Sequence, residues 1–194
     1  MWKTSFRYSI VLLGVFTTPI HAFTFISDVA PVIIHYEGSK YHNYEKDPGG
    51  PTKFGWTLKT YREMVHQTAS VSDIKNLTAE QATLLYENMW WDSYGASMIN
   101  DQDLATALIL AQINLGPHRP NKVLQGAVNA ICSQHLIVDG VIGSRTANAI
   151  NDCDVWPSYA FMLHDFYVNS KQVGPVWKWA KRGLKKRILH GVEN

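Results

Sequence analysis

The chain has 194 residues, with 18 basic and 16 acidic side chains, 46% hydrophobic residues and two cysteines, so its near-neutral charge gives no electrostatic case for a nucleic-acid partner. Beyond residue 22 there is no run of 18 apolar residues, which excludes a membrane-spanning helix of ordinary length from that part. Cys132 and Cys153 lack the Cys-x-x-Cys or His-x-x-x-His company of a zinc site, and neither a metal nor a cofactor is expected.

Residues 1–22 have the form of a secretory signal. Lys3 and Arg7 precede an apolar run from Ile10 to Phe16; Thr17, Thr18 and Pro19 break it, and Ala22 supplies the small residue at the cleavage point. The expected mature chain is exported, periplasmic or secreted, without stable membrane insertion once the signal is removed. In that compartment Cys132 and Cys153 can form a disulfide, the alternative being two buried thiols.

A first helix is expected from a cap at Ser27 or Asp28, with Pro31 in its first turn and an end at Glu37-Gly38. Pro48-Gly49-Gly50-Pro51 then forbids helix and implies a loop or short hairpin over residues 40–56. Helical spacing resumes near Thr57, with Leu58, Tyr61 and Val65 on one face. Thr78-Ala79-Glu80-Gln81 is a capping box ahead of Leu85, Met89 and Trp90. A helix capped by Asp101 or Asp103 runs through Leu104 to Leu115, apolar on nearly every side, and stops at Gly116-Pro117. Another starts at Pro120, with Leu124, Val128 and Ile131 packed. Asp139-Gly140-Val141-Ile142-Gly143 reads as a turn-rich connector, and Ser144 caps a short helix through Ala147 and Ile150. Over residues 171–194 seven basic residues stand against Glu193, and Trp177, Ala180, Leu184 and Ile188 mark an amphipathic terminal helix. The fold class is mainly α with a small insertion near the front.

The run from Glu37 to Gly55 carries the chemistry. A carboxyl at the end of an apolar helix turn is desolvated, which suits a general acid, whereas Asp47 in a polar loop stays ionised; such a pair serves glycosidic bond hydrolysis. Thr52 can hold a water. Gly49 and Gly50 let backbone approach a sugar ring, and Tyr41, Tyr44, Phe54 and Trp56 offer flat faces for stacking. Taken singly these are ordinary features of turns and helix ends. His35 points to a different face from Glu37 and is structural or exposed. Tyr86 and Trp90 are expected in the core, with Trp91 and Tyr94 open to a glycan groove, and Asn114 either reaches the cleft or bonds locally.

Glu37-Gly38-Ser39-Lys40-Tyr41 followed by Asp47-Pro48-Gly49-Gly50-Pro51-Thr52-Lys53-Phe54-Gly55 resembles the front motif of the glycoside hydrolase family 108 N-acetylmuramidases. Leu77-Thr78-Ala79-Glu80-Gln81-Ala82 with Tyr86 and Trp90-Trp91, and Gln112-Ile113-Asn114-Leu115-Gly116, are similar to later parts of that family. Leu124-Gln125-Gly126-Ala127-Val128-Asn129 and Asp139-Gly140-Val141-Ile142-Gly143-Ser144-Arg145-Thr146 resemble its predicted peptidoglycan-binding region. The resemblance implies a lysozyme-like fold, with a catalytic region over 23–116 and a wall-binding helical region over 117–194 behind the signal read over 1–22. It implies an enzyme acting on peptidoglycan glycan strands at the β-1,4 bond between N-acetylmuramic acid and N-acetylglucosamine, and a monomer is expected. Glu37 would be the acid, Asp47 and Thr52 its catalytic support, and Tyr41, Gly49, Gly50, Trp91 and Asn114 would meet substrate. Ser39-Lys40 makes the loop ahead of Asp47 one residue longer than the family's, and Leu110 stands where the family has an acidic residue. A lytic transglycosylase and a non-catalytic wall-binding or secretion-accessory module are the alternatives.

Overall fold

The computed structural model describes residues 23–43 and 49–169. The expectations for the signal, Tyr44, Asp47, Trp177 and the basic terminal helix concern residues outside these ranges.

Among the described residues the fold is mainly helical, with one two-stranded sheet. A π-helical turn, Phe25–Val29, leads into α1, Ala30–Glu37. The cap lies earlier than Ser27 or Asp28. Thr24 Oγ1 accepts the Ser27 amide at 3.3 Å while Asp28 Oδ2 accepts the Thr24 amide at 2.7 Å, so these two side chains satisfy the helix entrance reciprocally. At the other end the Gly38 amide donates to the Ile34 carbonyl at 3.0 Å, and Gly38 turns the chain at a φ of 79°.

The insertion is a hairpin of β1, Thr52–Lys53, and β2, Trp56–Thr57, paired antiparallel with Thr52 opposite Thr57. His42 extends it on the other side of β1 through two backbone bonds to Thr52 of 2.8 and 2.9 Å. The two-residue turn, Phe54-Gly55, has both φ values positive, 51° and 77°, as a primed turn requires. Phe54 tolerates this conformation with its ring buried.

Helix α2 spans Leu58–Met64 and α3 spans Val71–Asn76. Helix α3 has no counterpart among the expected elements; its start is marked by Asp73 accepting the Ser70 amide at 2.6 Å and hydroxyl at 2.8 Å. Ile74 of α3 closes a small cluster with Leu58 and Ala69, flanked by Tyr41 and Tyr61. The expected capping box at Thr78 and Gln81 opens α4, Ala79–Tyr86. Its buried positions are Ala82 and Tyr86, with Leu85 and Met89 only half-buried.

A second π-helical turn, Glu87–Trp91, and a 3₁₀ turn, Ala96–Met98, lead to α5, Gln102–Leu115. Asp101 caps α5 by accepting the Leu104 amide at 3.0 Å. Every residue from Leu104 to Gln112 is buried, so α5 is the axis of the core. Helix α6, His118–Ile131, begins two residues before Pro120, which sits in the first turn, where a missing N–H has no helical partner to lose. Ile131 is exposed rather than packed; Leu124, Ala127 and Val128 make the buried face. Helix α7, Ser144–Asn151, starts on Ser144 itself without a side-chain cap, and α8, Trp156–Asn169, packs on α5 and α6.

Cys132 and Cys153 are joined, tying the end of α6 to the connection between α7 and α8, with their Cα atoms 6.0 Å apart. A line of buried amides links α5, α6 and the 139–141 turn. Gln112 Nε2 donates to Asn121 Oδ1 at 2.8 Å, and Asn121 Nδ2 to the Gly140 carbonyl at 3.0 Å. Gln125 accepts the Gly140 amide at 2.8 Å and donates to Asp139 Oδ1 at 2.9 Å and the Val141 carbonyl at 3.0 Å. One hydrophobic cluster runs from Phe25 to Leu163. Among the described residues no helix is long and apolar enough to cross a membrane.

Candidate active site

The end of α1, the hairpin turn and the end of α4 meet at one place. Glu37 is the last residue of α1 and is half-buried. Its carboxyl lies over the turn: a Cβ built on Gly55 would stand 2.6 Å from Glu37 Oε2 and 2.9 Å from its Cγ, and would also collide with the Tyr86 hydroxyl. Tyr86 Oη donates to the Phe54 carbonyl at 2.8 Å, and its ring packs against Trp56 with centroids 5.2 Å apart. Burial raises the pKa of Glu37 above its ordinary value. The carbonyl end of α1 acts in the same direction, since it disfavours negative charge. Tyr86 is pushed well above its own ordinary value, by burial first and by the Glu37 charge second. It is therefore a neutral hydrogen-bonding group at any physiological pH.

Thr52 is in the same hairpin, buried, with Oγ1 donating to the Gly50 carbonyl at 2.8 Å. That bond uses the hydroxyl proton and leaves oxygen lone pairs for a water. Gly49 and Gly50 are half-buried; with Pro51, Leu58, Lys59, Arg62 and Glu63 they line a surface cavity of about 420 Å³.

A partly buried carboxyl at a helix end, set against a glycine turn and the hydroxyl of a neutral tyrosine, is an arrangement fit for proton donation to a leaving group. Residues 30–116 match the family described as Glycosyl hydrolase 108. The solved structure of Brucella abortus SagA is similar across the chain, at 26% identity and a TM-score of 0.61, covering 86% of this chain and 90% of that one. No curated protein matches. The chain is a lysozyme-type glycoside hydrolase, and peptidoglycan is its class of polymer.

Within the glycosyl hydrolase 108 region the other expected substrate residues separate. Tyr41 packs beside Tyr61 on the Leu58, Ala69 and Ile74 cluster and stays half-buried. Trp91 is buried rather than open. The π-helical turn that carries it turns its ring inward onto Phe25 at 5.3 Å and Phe23 at 6.1 Å, and Trp90 becomes the half-buried member, against Tyr94 at 5.6 Å. Phe54 and Trp56 are likewise core residues, with no face offered for stacking. Asn114 is exposed and bonds locally, Nδ2 donating to the Leu110 carbonyl at 2.9 Å. Leu110 is fully buried, where an acidic side chain would need a partner. His35 is exposed, its ring edge-on to Tyr36. The junction of Gly55 and Tyr86 under Glu37 is not legible from spacing, although both residues lie in the motifs quoted above, where Gly55 suits a turn and Tyr86 a core position.

Proposed function

We propose that the chain is an N-acetylmuramidase that cleaves the β-1,4 bond between N-acetylmuramic acid and N-acetylglucosamine, with Glu37 as general acid. The observation that carries this reading is the Glu37 carboxyl, held at the end of α1 against Gly55 and Tyr86, where burial raises its pKa. A carboxyl so placed keeps its proton closer to neutral pH and can give it to the departing sugar oxygen. Asp47 is the proposed ionised partner, stabilising the positive charge that develops on the ring, and Thr52 directs a water with the lone pairs left by its bond to Gly50. Residues 1–22 act as an export signal, so that the mature monomer meets the wall outside the cytoplasm, and residues 117–194 add contacts to the glycan strands.

The test is digestion of purified sacculi by the mature protein and by Glu37→Gln, with products identified by mass. Reducing muramic acid ends are the expected products. Anhydro ends would make the enzyme a lytic transglycosylase, and intact sacculi would overturn both.

A further inference from the structure

We propose that Gly55 and Tyr86 form the positioning seat of the Glu37 carboxyl: Gly55 by having no Cβ where the carboxyl lies, and Tyr86 by holding the turn that presents that space. The proposal rests on the reading of Glu37 as general acid.

Two separate demands fall on residue 55. Its φ of 77° lies in the left-handed region, and a Cβ there would stand 2.6 Å from Glu37 Oε2. That separation is shorter than a real Cβ shows to an unbonded heavy atom, so even alanine must displace the carboxyl, the Tyr86 hydroxyl or the turn. The preceding residue is also at positive φ, 51°, without being glycine. Such a turn needs a fastening, and the 2.8 Å bond from Tyr86 Oη to the Phe54 carbonyl supplies one from another element of the fold. Tyr86 is itself locked by its ring contact with Trp56 of β2 and by almost complete burial.

The same bond has a chemical effect. The hydroxyl proton of Tyr86 is committed to Phe54, so lone pairs are what its oxygen can turn toward the neighbouring carboxyl. Lone pairs favour the protonated acid over the carboxylate. Tyr86 is the titratable group that meets Glu37 from α4, while the hairpin meets it with backbone. The position of Glu37 is thus set by two residues that need not touch the sugar, and burial holds its proton there.

The experiment follows the carboxyl carbons of the chain's six glutamates by NMR during a pH titration, with the Glu37 signal assigned by its loss in Glu37→Gln. In Gly55→Ala the Glu37 signal should titrate lower than in the wild type, toward the range of an exposed glutamate. Its kcat on sacculi should fall by about 10²-fold with little change in KM, since displacing a reacting group by an ångström has that order of effect. Tyr86→Phe should move both readouts the same way by less. A Leu163→Ala control, which removes core volume from α8, should lower Tm and leave the Glu37 titration in place. An unmoved titration and kcat in Gly55→Ala overturn the proposal; if that variant does not fold, an unmoved titration in Tyr86→Phe does so. Full activity of Glu37→Gln would overturn the general-acid reading alone, because the titration requires no turnover.

Discussion

Glu37 and Asp139 are both acidic residues followed by a glycine at positive φ, and the fold treats them in opposite ways. Glu37 ends a helix, is half-buried, and has its carboxyl pKa raised by burial. Asp139 opens an exposed turn, where it accepts hydrogen bonds from Gln125 Nε2 at 2.9 Å and from the Val141 amide at 2.8 Å. Those bonds, Gln125 first, pull its carboxyl below the ordinary value. One carboxyl is held at a cost to folding once it ionises, and the other contributes to folding by ionising. The contrast separates a group kept for chemistry from a group kept for architecture, and it can be broken experimentally at either end.

The largest expected effect is at the front. Glu37→Gln should lower turnover of sacculi by about 10²- to 10⁴-fold, the range supplied by general acid catalysis. The same substitution should raise Tm at neutral pH. Since the folded pKa of Glu37 lies above its unfolded value, the folded chain binds that proton more tightly; the stability so gained is complete at low pH and declines as pH rises through the folded value. Glutamine carries no such penalty, so its advantage should be present at pH 7 and vanish below the ordinary glutamate range. A loss of Tm at pH 7 would show that Glu37 is held by interactions favouring its charge, contrary to the desolvated seat.

At the back the expected effects are on stability alone. Replacing both Cys132 and Cys153 by alanine opens a closed segment with a sequence separation of 21 and should cost about 3 kcal/mol, seen as a lower Tm, with activity per folded molecule unchanged. Gln125→Ala should cost about 2 kcal/mol, because it leaves the amide of buried Gly140 without its acceptor. A Cβ on Gly140 would stand 2.7 Å from the His118 carbonyl, so this turn is clamped against the start of α6 and has little freedom to find new partners. If Gln125→Ala instead reduced turnover with Tm intact, the division between front and back would fail.

The sequence exposed each of these regions to a different depth. Helix ends written in local chemistry could be read directly: the Thr78 box, the Asp101 cap and the stops at Gly38 and Gly116 all depend on residues within one turn of each other. The all-round apolar pattern from Leu104 to Ala111 announced a buried helix in the same way. Trp91 could not be read, because a π-helical turn changes which residues face inward and ordinary helical spacing then assigns Trp90 to the core. The seat of Glu37 was hidden for another reason. Gly55 and Tyr86 reach Glu37 from 18 and 49 positions further along the chain, and nothing local in either residue reports a partner at that separation. Motif likeness picked out Glu37, Thr52 and Gly55; only the packing of three elements says which of them touch.

The smallest expected effect concerns Asp139 itself, and it runs against the pH response of Glu37. A carboxyl whose folded pKa is depressed contributes stability that is present above its ordinary value, near 3.8, and is lost as pH falls through the lower folded value. Asp139→Asn keeps an acceptor for the Val141 amide and for Gln125 but removes the charge that Lys122 also favours. The variant should therefore be slightly less stable than wild type at pH 6, and the two should converge as the buffer is taken toward pH 3. Thermal melts across that range check it. Convergence on acidification in Asp139→Asn, set beside convergence on acidification from the other side in Glu37→Gln, would be the signature of one carboxyl stabilised by its charge and one opposed by it. Parallel melting curves at every pH would mean that the 139–141 turn draws on the shape of the aspartate and not on its ionisation.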